Sequence, residues 1–270
     1  MAYHGKIAIV TGGGRGLGRA MALGLSRAGF RVAITAARTR DEIEAVAMEV
    51  PQGQVCPVMA DVSRESACAA LIKEVEGRLG PIDVLVNNAG RGMRFVSERF
   101  LSEPPPFWKT DPETWRMIIE TNVNGPFFMA RAVAPGMIAR GWGRIINISM
   151  NRETMRRQGF SPYGPSKAAL ESETTIWAQD LAGTGVTVNA LLPGGASRTG
   201  MIPDAVPPEL RKKLISPEIM VARLLWLVSD AADAVSGQRL DASRWDTSLN
   251  PSEAAAKICE PALWGAPKIE

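Results

Sequence analysis

Histidine is nearly absent from this chain: the only one in 270 residues is His4, ahead of the first strand-like run. A Ser-His-Asp hydrolase or a histidine-ligated zinc site would have to be assembled around that terminus, and no metal site is expected. Tyrosine is equally scarce. With Tyr3 and Tyr163 alone, any interior phenol chemistry falls to Tyr163. The three cysteines, Cys56, Cys68 and Cys259, are odd in number, far apart and in no C-x-x-C pair. That argues against a disulfide framework and fits a reducing compartment. No apolar run reaches the ~18 to 20 residues of a membrane span, and strand-like residues beginning at Ile7 leave no room for a leader. A cytoplasmic protein is expected. Charge of one sign is also lacking: 31 Lys+Arg against 28 Asp+Glu leave a net charge of +3, with no basic stripe interleaved with aromatics. Neither nucleic acid nor membrane is an expected partner.

Apolar residues, by contrast, make up 46% of the chain, enough for one large core. The run Ile7 to Ala20, I-A-I-V-T-G-G-G-R-G-L-G-R-A, reads as a strand, a tight turn and a helix start. Glycines at such a turn allow φ > 0 and let a pyrophosphate approach bare N–H groups in front of a helix N-terminus. The turn therefore predicts dinucleotide binding through Gly12, Gly14, Arg15, Gly16, Leu17 and Gly18. A second strand over residues 30–35 ends without a carboxylate; Ala36, Ala37, Arg38 and Arg40 follow instead. Guanidinium forks at this place, with Arg15 in the turn, favour the 2′-phosphate of NADP over NAD.

Further along, residues 54–60 read as a third strand ending at Asp61-Val62, where Asp61 either caps the next helix or faces a ligand. Ile82 to Val86 forms a fourth strand, running directly into Asn87-Asn88-Ala89-Gly90 at the carboxyl end where open α/β sheets hold ligands. Residues 91–112, with Pro104-Pro105-Pro106-Phe107-Trp108, form a stiff loop read equally as a substrate flap, a subunit contact or a local cover. A helix from Thr114 to about Ala139 carries Asn122 and is kinked by Pro126. Residues 143–149 give a fifth strand, and Tyr163-Gly164-Pro165-Ser166-Lys167 opens the next helix, placing Tyr163 and Lys167 on one face. An ammonium there supports proton exchange by a phenol whose ordinary pKa is about 10. Residues 186–192 make a sixth strand before Pro193-Gly194-Gly195 and Thr199, and residues 237–241 make a seventh. Residues 200–217 read as a lid.

T-G-x-x-x-G-x-G, N-N-A-G and Tyr-x-x-x-Lys, in this order, resemble the short-chain dehydrogenase/reductase family over roughly residues 5 to 240. The resemblance implies a doubly wound seven-stranded parallel sheet with helices on both faces. It also implies a single Rossmann-fold domain over residues 1–242, with 243–270 as its C-terminal extension. Cofactor contacts implied by it are Asp61 and Val62 at the adenine, then Asn88, Ala89, Gly90 and Ile148. Tyr163, Lys167, Pro193, Gly194, Gly195 and Thr199 follow at the nicotinamide end. It implies hydride transfer between NADP(H) and a carbonyl or secondary alcohol, with Tyr163, Lys167 and Asn122 catalytic, and assembly as a homotetramer or dimer. One position departs from the pattern. The family's serine, thirteen residues before the tyrosine, maps onto Met150, with Ser149 one residue off. On a strand, adjacent side chains face opposite ways, so Ser149 serves only if a bulge turns it; Asn151 or Thr154 are the substitutes. The alternative is a dinucleotide-binding sensor or scaffold with little catalysis. The apolar Met93, Phe95, Phe107, Trp108 and Met150 suggest an apolar or aromatic carbonyl.

Overall fold

Strand β1 (Ile7–Val10) is buried at all four residues, the pattern of a strand covered on both faces of a parallel sheet. The computed structural model describes residues 3, 5–204, 206 and 208–263. In chain order, β1 is followed by α1 (Gly16–Arg27), β2 (Arg31–Ala36), α2 (Arg40–Met48), β3 (Val55–Met59), α3 (Glu65–Arg78) and β4 (Val84–Asn87). Next come α4 (Pro112–Ile119), α5 (Gly125–Arg140), β5 (Gly143–Ile148), α6 (Arg152–Met155), α7 (Tyr163–Asp180) and β6 (Val186–Leu192). The chain closes with α8 (Pro208–Lys212), α9 (Ile219–Leu227), β7 (Gln238–Asp241), α10 (Pro251–Ile258) and β8 (Cys259–Pro261). No helix among the described residues is long and apolar enough to cross a membrane.

The strands lie in the order β3-β2-β1-β4-β5-β6-β7-β8. Chain order reverses between β1 and β4, so a crevice opens there at the carboxyl ends. Met21 of α1, Ile43 of α2 and Leu224 of α9 pack on one face, and Leu71 of α3 with Met129 and Val133 of α5 on the other.

Three expectations change. The sheet has eight strands rather than seven: β8 pairs antiparallel with β7, aligning Leu240 with Cys259. Thus part of the tail extends the sheet edge, and Trp245 packs against Trp226 at 6.3 Å; Trp264 lies outside the described residues. The single helix expected through Asn122 is instead α4, a π-helical turn over Glu120–Asn124 and α5, with Pro126 in the first turn of α5. Pro126 has no N–H to offer the carbonyl four residues back, and the wider turn absorbs the mismatch. In the loop 91–112, Phe100 is buried edge-on to Phe160 at 5.7 Å, whereas Phe107 and Trp108 are 67% and 72% exposed. The loop's inner part therefore covers a small core of Met93, Phe100 and Phe160, against which Met150 and Tyr163 pack.

Candidate active site

Glycine geometry sets the floor of the site. Gly12 has φ +65°, and a Cβ on Gly18 would stand 2.2 Å from the Gly12 carbonyl oxygen. Asn88 stitches this turn to the end of β4, its Nδ2 donating to the Thr11 and Gly12 carbonyls at 2.8 and 3.0 Å. The Thr11 hydroxyl oxygen accepts from the Asn88 and Ala89 N–H groups at 3.0 and 2.9 Å. Helix α1 starts without a side-chain cap and with no acidic residue in its first turn. Its unpaired N–H groups and positive dipole end therefore remain available to an anion.

Every expected cofactor residue borders one cleft of about 740 Å³, from Gly12 and Arg38 at one end to Pro193, Gly194, Gly195 and Thr199 at the other. Arg15 and Arg38 line it, but Arg40 does not; it sits on α2 beside Glu44 at 3.4 Å. Asp61 does not cap α3, which begins at Glu65 behind Arg64. Its Oδ1 accepts from the Ser63 N–H and hydroxyl at 3.1 and 2.7 Å, a local turn that holds the carboxylate at the cleft wall. Gly194 has φ +87°, and a Cβ there would collide with Ser243 and Asp241. The glycine cradle, the open helix end and the arginines fit a phosphorylated dinucleotide.

At the inner end, Tyr163 and Lys167 share a face of α7. The Lys167 ammonium lies 5.9 Å from the Tyr163 ring centroid and donates to the Ile148 carbonyl at 2.7 Å. Burial pushes Lys167 down to about 8, opposed by the charge of Glu171 one turn on. Burial pushes the Tyr163 phenol up to about 12, so in the free protein it holds its proton. Asn122, wholly buried in the π turn, spends its side chain on neighbours. Its Oδ1 accepts from Arg91 N–H at 2.8 Å, and its Nδ2 donates to the Arg91 carbonyl at 2.9 Å and the Ser166 hydroxyl at 3.0 Å.

Ser149 borders the cleft, but its hydroxyl is turned away and donates to Glu171 at 2.7 Å. The Ser149 N–H donates to the Leu191 carbonyl at 2.9 Å, so the ladder with β6 runs on past Ile148, and the hydroxyl lies on the Glu171 side. Glu171 is the hub of a buried network: Arg239 Nε reaches it at 3.1 Å and the Leu263 N–H at 2.9 Å, while Arg239 Nη2 donates to the Met150 carbonyl at 2.9 Å. Met150 itself faces the cleft with Asn151 and Thr154. Asn151 Oδ1 caps α6 through the Thr154 N–H at 2.9 Å, leaving Nδ2 with only a 3.5 Å contact to the Gly194 carbonyl. The Thr154 hydroxyl makes no hydrogen bond among the described residues. The substrate side carries Met93, Phe95, Phe100, Leu101, Phe160 and Met201 on its walls, with the charged Arg94, Glu98 and Arg157 among them. Of the expected apolar residues, Phe107 and Trp108 fall outside it; Phe100 and Phe160 take their place. Arg94 ties this wall to the segment after β6, donating to the Gly200 carbonyl at 3.2 Å and to Asp204 at 3.0 Å.

The sequence reading missed the Glu171–Arg239 pair. Neither Glu171, in Leu170-Glu171-Ser172-Glu173, nor Arg239, in Gln238-Arg239-Leu240-Asp241, stands out from the charged and polar residues around it, so the pairing carries no local signal.

Comparison with known proteins agrees with this geometry. The sequence model of a family described as short chain dehydrogenase matches residues 6–209. An acetoacetyl-CoA reductase of Shinella zoogloeoides is 36% identical over 248 residues, 88% of this chain and 97% of that protein. A 3-oxoacyl-[acyl-carrier-protein] reductase of Staphylococcus aureus (strain N315) is 32% identical over 247 residues, covering 87% and 95%. Among solved structures, a putative short-chain alcohol dehydrogenase from Sinorhizobium meliloti 1021 superposes with a TM-score of 0.77 at 29% identity, covering 89% and 96%. A metagenomic short-chain oxidoreductase in complex with NADP gives 0.73 at 30% identity, covering 88% and 96%.

Proposed function

The chain belongs to the short-chain dehydrogenase family, and on that premise we propose that it is an NADPH-dependent reductase of an apolar carbonyl compound. The observation that carries the reading is the meeting of Tyr163 and Lys167 on one face of α7 with the glycine-lined cleft. NADPH supplies the hydride when bound. Gly12, Gly14, Gly16, Leu17 and Gly18 would hold its pyrophosphate, Arg15 and Arg38 its 2′-phosphate. Asp61, Val62, Asn88, Ala89 and Gly90 would take the adenosine half; Ile148, Pro193, Gly194, Gly195 and Thr199 would take the nicotinamide half. The presence of NADP in a solved relative supports the same choice.

Tyr163 holds its proton in the free protein and gives it to the carbonyl oxygen as charge develops there, a role that its raised pKa suits in the reducing direction. Lys167 stabilises the phenolate left behind. Asn122 is a positioning residue, fixing the backbone after N-N-A-G against α7 through Arg91 and Ser166. Ser149 is committed to Glu171, and Thr154 and Asn151 Nδ2 are the donors left to hold the substrate oxygen beside Tyr163. The sensor reading is not favoured: the tyrosine and lysine it has no chemical need of stand together at the cleft.

Residues 243–263 belong with the rest as one domain, since β8 completes the sheet edge. A second copy of the chain would cover Trp115 of α4, Phe127 and Ile138 of α5 and Ile176 of α7, each 39–51% exposed, giving a dimer or tetramer. Free Cys56, Cys68 and Cys259 fit a cytoplasmic setting. The test is a fluorescence titration with NADPH and NADH, followed by absorbance with acetoacetyl-CoA and a series of aryl ketones. Tighter NADPH binding and turnover of an apolar ketone are expected; tight binding without turnover of any carbonyl would return the sensor reading.

A further inference from the structure

The stretch that brings Met150, Asn151 and Thr154 to the cleft leaves β5 and enters α6, a helix of four residues (Arg152–Met155). So short a helix does not hold itself, and its place has to come from its neighbours. On one side it abuts the start of α7. A Cβ on Gly164 would stand 2.2 Å from the Met155 carbonyl oxygen, and Gly164 directly follows Tyr163. Thr154, the residue before Met155, is thereby kept at the Tyr163 end of α7.

On the other side α6 is fastened to a piece of chain 108 residues further along. Arg152 Nη1 donates to Glu260 Oε2 at 3.1 Å, and Nη2 donates to the Pro261 and Leu263 carbonyls at 2.9 and 2.7 Å. Glu260 also pairs with Arg244. The stretch is in turn anchored on α7, where the Thr175 hydroxyl reaches the Ala262 carbonyl at 3.1 Å and Glu171 accepts from the Leu263 N–H at 2.9 Å. Neither Arg152 nor Glu260 is among the described residues that border the cleft. What they do to a bound molecule passes through the backbone that they hold.

We propose that Arg152 is a positioning residue for the reduction: by tying α6 to residues 260–263 it fixes where Thr154 and Asn151 Nδ2 meet the substrate oxygen, and so which face of the ketone is presented to the hydride. The inference rests on the reductase reading above. A planar fork that spans a carboxylate and two carbonyls fixes direction as well as distance. Such aim matters, since a misplacement of about 1 Å can cost about a hundredfold in rate.

Wild type, Arg152→Met, Arg152→Lys and Glu260→Gln are compared as full chains. NADPH binding is titrated by fluorescence, reduction of propiophenone and of acetoacetyl-CoA is followed by absorbance, and the enantiomer ratio of each alcohol product is read by chiral chromatography. Arg152→Met should keep NADPH affinity within about twofold, which also reports a folded protein, while kcat/KM falls roughly tenfold or more and the enantiomer ratio falls with it. Arg152→Lys should recover part of the loss, since an ammonium reaches Glu260 but does not span both carbonyls. Glu260→Gln keeps the two carbonyl contacts and should show a smaller change in the same direction. An unchanged ratio in Arg152→Met, whether or not turnover falls, would overturn the assignment, as would loss of NADPH binding in step with turnover. Should Arg152→Met not fold, Glu260→Gln decides alone, and an unchanged ratio there would overturn it. A wild type that reduces neither compound would sink the reductase reading and this inference together; one that reduces either, with the ratio kept in Arg152→Met, would overturn Arg152 alone.

Discussion

The adenosine half of the cleft and the substrate half are held together by different kinds of interaction. Around Gly12, Gly18 and Asn88 the geometry rests on backbone: close approaches only glycine permits, and an amide that reaches two carbonyls. Around Met150 it rests on side chains brought from far along the chain, Glu171, Arg239 and the Leu263 amide. A backbone cradle accepts any dinucleotide, and side-chain packing selects what is reduced beside it. The two halves should therefore fail in different ways.

The largest effect is expected on the substrate side. Glu171→Gln leaves Arg239 buried without its full counter-charge and should cost about 3 to 5 kcal/mol in urea unfolding. A Glu171→Leu, Arg239→Met pair should cost much less, because both charges leave together. Equal losses would mean that the network owes its stability to something other than charge pairing. On the adenosine side, Gly18→Ala drives a methyl into the Gly12 carbonyl. Overpacking of this kind should cost about 1 to 3 kcal/mol, and NADPH affinity should drop with it in the same titration.

A smaller effect links the halves through pH. Lys167 is pushed down to about 8, so its ammonium is present below that pH and lost above it. For reduction, kcat/KM should be flat below pH 8 and fall by about tenfold per unit above it. Since the Glu171 charge raises the Lys167 pKa, Glu171→Gln should move that fall to lower pH; an unmoved profile would separate Glu171 from the chemistry. The smallest effect belongs to Phe107, exposed at the tip of its loop: Phe107→Ala should change stability by less than about 0.5 kcal/mol and leave turnover intact.

This contrast also explains what the sequence discloses. Gly12 to Gly18 and the shared face of Tyr163 and Lys167 are legible because local spacing dictates their geometry, and the alternating strands and helices carry the fold; Asn88, which reaches back to Thr11 and Gly12, is legible only through the resemblance of N-N-A-G. Strand β8 is not legible: Cys259-Glu260-Pro261 is three residues long, and it is a strand because β7 offers an edge and Arg152 donates to the Pro261 and Leu263 carbonyls. Ser149 and Met150 show the same limit. Alternation says which way the serine turns, but only the fold shows that a glutamate from α7 waits there.

The central claim, that Tyr163 is the acid of a reductase whose cofactor cradle is independent of it, is tested most directly with Tyr163→Phe. NADPH binding and ketone turnover would be measured side by side on that variant and the wild type. Affinity within about twofold of wild type, with turnover reduced roughly 10² to 10⁴-fold, is the predicted result. Turnover that survives the loss of the hydroxyl would contradict the account and move the proton donor elsewhere in the cleft.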